Sequence, residues 1–335
     1  MNGRRLGALL VAVALVAGAF LVRRALDGDE QTVPSTSNGT ATSPDPSAPD
    51  ADTVRCLPEL AAVCETLAAN GVDARTEEAL TTFDTLVAAD PDDPALPVWV
   101  TVQPFPGMVD AARAAAGDDP LGLAVEPVAS TALAVAAPAD GRLAALVAAC
   151  AGSPLWGCIG EGAGGPWTDL GGEAAWGTVR PSLGKVETSA TALVSFSAAT
   201  AGYFGTTDIS RSTWEADPGF TAWVRRLART VPASSLTGRT PLATMATRPA
   251  LDLAATTDVE LQLLGDRSSQ FTPEYPEPTM SLEAVVAAPP GLDVSATTAV
   301  MSTTLANAGW VEPAGRPAPS ASATLALLQL WKDAT

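Results

Sequence analysis

The 335 residues, 47% of them hydrophobic, suffice for one large or two modest domains with a buried core. A balance of 19 Lys+Arg against 37 Asp+Glu leaves a net charge of -18, a field that repels phosphate backbones and anionic lipid headgroups, so nucleic acid is not an expected partner. Histidine is absent, which removes the usual general base and the commonest transition-metal ligand; most hydrolase triads are excluded, and neither catalysis, a cofactor nor a metal site is expected.

Residues 1–26 read as a signal anchor or transmembrane helix. Arg4 and Arg5 precede an uncharged apolar run from Leu6 to Val22, and Arg23 and Arg24 follow it. The run is at the short end of a membrane span of roughly 17–25 residues, and long for the core of a cleaved signal of about 7–15 residues. Two outcomes stay open: a single-pass cell-membrane protein with its C-terminal domain extracytoplasmic, or cleavage near Ala17-Gly18-Ala19 and secretion. Residues 27–53, DGDEQTVPSTSNGTATSPDPSAPDADT, are rich in Ser, Thr, Pro and Asp with almost nothing to bury, which predicts a disordered, solvated linker.

Four cysteines follow as two equally spaced pairs, Cys56 with Cys64 and Cys150 with Cys158. In an exported chain this spacing predicts two short-loop disulfides, although four cysteines formally allow three connectivities. A four-thiolate metal site would need the tighter spacings of zinc knuckles, which are missing.

Beyond the linker, strand-like and helix-like segments alternate. TVRC reads as a strand and the stretch closing at Asn70-Gly71 as a helix; LPVWVTV is a buried strand and GMVDAARAAAG a helix. PVASTALAVAAP is a second buried strand, DGRLAALVAACAG a helix, GPWTDLGG a turn with a short helical start, and EAAWGTVRPS a strand running into a loop. DPGFTAWVRRLART is an amphipathic helix. Strands separated by helices predict α/β layers around a mostly parallel sheet.

In chain order, LPVWVTVQPFPG, VASTALAVAAP, WTDLGG, KVETSATAL, FTAWVRRLAR, YPEPTMSLEAVV and LANAGW together resemble the bacterial extracellular solute-binding proteins of the type 2 periplasmic-binding-protein fold, in particular their membrane-anchored branch. The resemblance covers residues 53–313 and implies an α/β fold of two lobes joined by two crossover strands, closing on a ligand. It implies a domain over 54–335, with lobe 1 at 54–130 and 247–335, lobe 2 at 131–246, and crossovers near VASTALAVAAP and LATMATR. Each disulfide then stays within one lobe.

The resemblance also points to a site. KVETSATAL would begin a helix whose N-terminus faces the cleft, with Thr188, Ser189 and Thr191 offering hydroxyls beside free N–H groups suited to an anionic or strongly polar ligand. Plain capping by Thr188 or Ser189 fits the same residue types. Ser130 and Thr131 match the place where relatives bring hydroxyls into the cleft at the crossover, while a strand-end hydrogen bond is the other reading. Two departures bear on the ancestral ligand: Gln103-Pro104-Phe105-Pro106 stands where relatives carry an acid and a small hydroxyl, and Ala192 stands where they carry glycine.

The expected function is a membrane-tethered receptor capturing a small solute, anionic or polar, with an ABC-type permease as partner. The alternative is an envelope interaction or sensing protein that keeps the two-lobe fold without transport. An enzyme would have to rest on acids such as Asp208 and Glu215 with no activated nucleophile beside them.

Overall fold

The computed structural model describes residues 53–230 and 240–335. The expected anchor over 1–26 and all but the last residue of the linker lie outside the described residues; among the described residues no helix is long and apolar enough to cross a membrane.

The strands are β1 (Thr53–Cys56), β2 (Asp73–Thr76), β3 (Val98–Val102), β4 (Ala124–Pro138), β5 (Pro181–Ser182), β6 (Leu253–Thr257), β7 (Phe271–Glu274) and β8 (Ser281–Ala288). They form one sheet in the order β2-β1-β3-β8-β4-β6-β5, with β7 also on β4. β1 runs parallel to β2 and β3, and β5 parallel to β6, whereas β8 runs antiparallel to both β3 and β4. All five residues of β3 are buried, as an unbroken apolar run requires in a sheet covered on both faces.

β4 is the element that joins the two ends. Its residues from Ala124 to Ala132 pair with β8, those from Leu133 to Ala136 pair with β6, and those from Val135 to Pro138 pair with β7. A register shift between Pro127 and Ala129 lies within the first stretch, where proline cannot donate to the ladder. VASTALAVAAP is thus the middle and end of a longer strand than the apolar run alone marked.

The helices are α1 (Ala61–Ala69), α2 (Ala79–Ala88), α3 (Phe105–Ala116), α4 (Arg142–Ala149), α5 (Leu155–Gly162), α6 (Ala190–Phe204), α7 (Arg211–Glu215), α8 (Pro218–Thr230), α9 (Pro241–Met245), α10 (Asp258–Leu263), α11 (Ser295–Asn307) and α12 (Ala321–Ala334). α6 is buried from Ala190 to Gly202 and has no polar face, the pattern of a helix enclosed on all sides. Its Phe196 ring lies 4.8 Å from that of Trp331 on α12, edge to face. Both expected disulfides form; Cys56–Cys64 ties β1 to α1, and Cys150–Cys158 ties the end of α4 to α5.

Two segments differ from expectation. Within EAAWGTVRPS only Pro181–Ser182 is strand, because a 3-10 turn at Ala174–Trp176 ends on Gly177 at φ 73°, which breaks the extended run. LATMATR, near which a crossover is expected, begins as a helix: Pro241 opens it, the Thr240 side chain accepts from the Ala243 N–H as its cap, and the strand β6 follows at Leu253. The strands after this helix, β6 and β7, pair with the second half of β4, and the chain returns to the first half of the sheet only at β8.

Candidate functional site

The start of α6 is built by a tight turn: the N–H groups of Thr188 and Ser189 both donate to the Lys185 carbonyl, at 3.1 and 2.9 Å. Gly184 precedes it at φ +95°, where an added Cβ would also meet the Ala192 methyl at 3.0 Å, so only glycine fits this entry. Ser189 is the N-cap, its Oγ accepting from the Ala192 N–H at 3.2 Å.

The exposed N–H groups that such a helix start leaves have found an acceptor within the chain. Glu59, on the 3-10 turn Pro58–Leu60 directly after β1, reaches α6 with its carboxylate. Oε1 accepts the Ser189 hydroxyl at 2.8 Å and the Thr191 N–H at 3.2 Å. These are charge-assisted bonds at the positive end of a helix dipole, each worth roughly 1.5–3 kcal/mol. The second oxygen, Oε2, is buried with no hydrogen-bond partner. A carboxylate therefore sits where an anionic ligand atom was expected, and it belongs to the protein.

A second acid lies close by. Glu260 caps α10 reciprocally with Thr257, its Oε2 accepting the Thr256 hydroxyl at 2.7 Å and the Thr257 N–H at 3.2 Å. Burial pushes the Glu260 carboxyl above its ordinary range, its hydrogen bonds to Thr256, Thr257 and Thr240 oppose that shift, and the charge of Glu59 adds to it. On the same helix, Asp258 accepts the Tyr275 hydroxyl, a hydrogen bond that with burial pushes the phenol up to about 12.

Of the five expected ligand residues, Ser189 and Thr191 meet Glu59, through the Ser189 hydroxyl and the Thr191 N–H, while Thr188 donates its N–H to the Lys185 carbonyl in the turn before them. Ser130 and Thr131 are 2% and 3% exposed, and their hydroxyls are used inside the fold. The Ser130 hydroxyl donates to the Glu312 carbonyl at 2.9 Å, and its backbone exchanges hydrogen bonds with Val311. Thr131 Oγ1 accepts the Val259 N–H at 3.3 Å, joining β4 to α10. Ser130 also lines a cavity of about 30 Å³ with Val194 and Ser197 of α6, space for about one water molecule. Trp99 and Trp167 are core residues, both 0% exposed. Glu59 was not found by sequence reasoning; it lies 130 positions from Ser189 with no local motif marking it.

No protein-family model and no curated protein matches the chain. Among solved structures, iron-bound HitA from Pseudomonas aeruginosa is similar, with a TM-score of 0.50 at 11% identity, over 84% of this chain and 99% of that one. The chain has the type 2 periplasmic-binding-protein fold. Further neighbours are the apo ferric ion-binding protein A of Pasteurella haemolytica, with a TM-score of 0.45 at 13% identity over 85% of this chain and 98% of that one, and the substrate-binding protein of an ABC transporter from Agrobacterium tumefaciens, with a TM-score of 0.42 at 10% identity over 85% and 94%. The two-domain α/β layout of the type 2 periplasmic-binding-protein fold accounts for a strand such as β4 serving both ends of the sheet. Among the described residues of this version of the fold, no three His, Cys, Asp or Glu side chains converge as a metal site.

Proposed function

We propose that this chain is a non-catalytic extracytoplasmic solute-binding protein that holds a small anionic or polar solute between two lobes. In this reading residues 1–26 tether it to the membrane and an ABC-type permease is its partner. The lobes are 54–130 with the C-terminal part, and the segment after 131; the strand pairings support a return near residues 275–280 in place of residue 247. The observation that carries the proposal is the grip of the α6 start on a carboxylate, through the Ser189 hydroxyl and the Thr191 N–H. The same donors suit a carboxylate or oxyanion on a solute, and Glu59 then acts as a tethered occupant that the solute displaces before the lobes close on it.

The second reading, an envelope interaction or sensing protein that keeps the fold without transport, is favoured by the 30 Å³ cavity and by Glu59 filling the helix start. For catalysis little speaks: Glu215 is spent on an exposed pair with Arg211 at 3.9 Å.

Thermal unfolding of the full chain against carboxylates, oxyanions, sugars, amino acids and short peptides decides between the two. Binding to the folded state alone raises the melting temperature with ligand concentration, by about 2.7 kcal/mol of stabilisation at a hundredfold excess over Kd. A dose-dependent rise that disappears in Ser189→Ala supports solute capture at α6. Silence across the library supports the second reading.

A further inference from the structure

At the end of β6 remote from Glu260, where the chain enters the strand through Leu251 and Asp252, a groove of about 410 Å³ opens. Three guanidinium groups line it, those of Arg142, Arg180 and Arg248. This is a notable concentration in a chain with 19 Lys+Arg and a net charge of -18. The acids facing them are fewer. Asp252, 1% exposed, accepts from the Arg180 N–H, Nε and Nη2 at 3.1, 3.0 and 3.1 Å, and lies 3.6 Å from Arg142 Nε. Arg142 also pairs with Asp140, and its guanidinium lies 5.2 Å from the centre of the Trp176 ring.

That arrangement leaves donors over. Arg142 Nε is buried with no hydrogen-bond acceptor. Arg248, exposed just beyond α9, forms no ion pair among the described residues. Two carboxylates thus face three guanidiniums, and the surplus charge borders a floor built in part from Met245 and Phe271. Guanidinium donors suit the planar or tetrahedral oxygens of carboxylate and phosphate, and an apolar floor suits a hydrocarbon or aromatic body.

We propose that this groove is a second binding site, separate from α6, for a small organic anion: a carboxylate or phosphate monoester held by Arg248 and Arg142, with its apolar part on Phe271 and Met245. The Arg180–Asp252 pair is the frame of the site, joining β5 to β6 and fixing where the other two guanidiniums stand. Arg248 has no part in that frame, so its role is separable from folding.

The test is calorimetric titration of the full chain with phenyl phosphate, hexanoate and inorganic phosphate, on the wild type, Arg248→Ala and Ser189→Ala. The expected result is binding of phenyl phosphate or hexanoate that weakens about tenfold or more in Arg248→Ala, the worth of one charge-assisted hydrogen bond. Arg248→Ala should melt as the wild type does, and binding should persist in Ser189→Ala, which separates this groove from the α6 site. Absence of binding by all three probes overturns the proposal, as does binding that Arg248→Ala leaves unchanged. Inorganic phosphate binding as tightly as phenyl phosphate overturns the assignment to an organic anion. Loss in Ser189→Ala with retention in Arg248→Ala places the anion at α6 and overturns the second site.

Discussion

The hydroxyl of Ser189 donates to the Glu59 carboxylate at 2.8 Å, linking the turn after β1 to the first residues of α6 across 130 positions of sequence. Replacing Glu59 with Ala leaves the Ser189 hydroxyl and the Thr191 N–H without their acceptor, at a cost of about 1–3 kcal/mol. The vacancy has the shape of a small carboxylate. Sodium acetate should therefore raise the melting temperature of Glu59→Ala, relative to a sodium chloride control, by more than it raises that of the wild type, where it must first displace Glu59. Equal responses in the two proteins would show that the helix start is not a carboxylate seat.

Asp252 and Arg180 form the most completely bonded ion pair among the described residues, yet the partners are unequal: the Asp252 side chain is 2% exposed and that of Arg180 39%. Removing the arginine side chain takes two of three hydrogen bonds from a buried carboxylate, which keeps the backbone N–H of residue 180, whereas removing the carboxylate leaves a cation that water can reach. Arg180→Ala should cost roughly 1–3 kcal/mol, for the hydrogen bonds a buried acceptor loses, and Asp252→Ala should cost less. Urea denaturation gives both values; the reverse order would mean that Arg142, 3.6 Å away, already compensates Asp252.

Glu260 makes stability depend on pH. Burial raises its pKa in the folded state above the ordinary 4.5, so the folded protein holds the proton more tightly than the unfolded chain. That contribution is fully present below the unfolded pKa and is lost as pH rises through the folded one. Glu260→Gln keeps an acceptor for Thr256 and Thr257 and has no charge to bury. Its melting temperature relative to the wild type should rise as pH increases from acid toward neutral; a constant difference over that range would contradict the assignment.

Gly160, on α5, lies against the Trp223 indole, whose Nε1–H donates to the carbonyls of Trp156 and Gly157 at 3.2 Å. A methyl group at residue 160 would overlap the ring, and the ring is fully buried with little room to turn. Gly160→Ala should destabilise by about 1–3 kcal/mol despite the better helix propensity of alanine. Denaturant titration followed by tryptophan fluorescence measures it, and a stabilised variant would mean the α5–α8 contact is loose.

Local chemistry was legible in the sequence where it governs the fold. Thr188 or Ser189 ahead of an apolar run marked the start of α6, where Ser189 is the cap; the cysteine spacing pointed to both disulfides, and the β-branched run at Val98–Val102 marked a buried strand. The long-range partners were not legible. Glu59 and Asp252 carry no local signature, since each acts on groups far along the chain, and an acid that will cap a distant helix looks like any surface acid. The helix at Pro241–Met245 was missed because a Thr-Pro start followed by a single turn is too short to develop a period.

β4 changes partners between Ala132 and Leu133, pairing with β8 before that point and with β6 after it. A half-molecule cut from this chain would carry either a strand with a dangling end or an edge with no strand to meet it. The two halves are thus not interchangeable modules: a chimera built from one half and a relative's other half would inherit a β4 whose register was set from both sides at once.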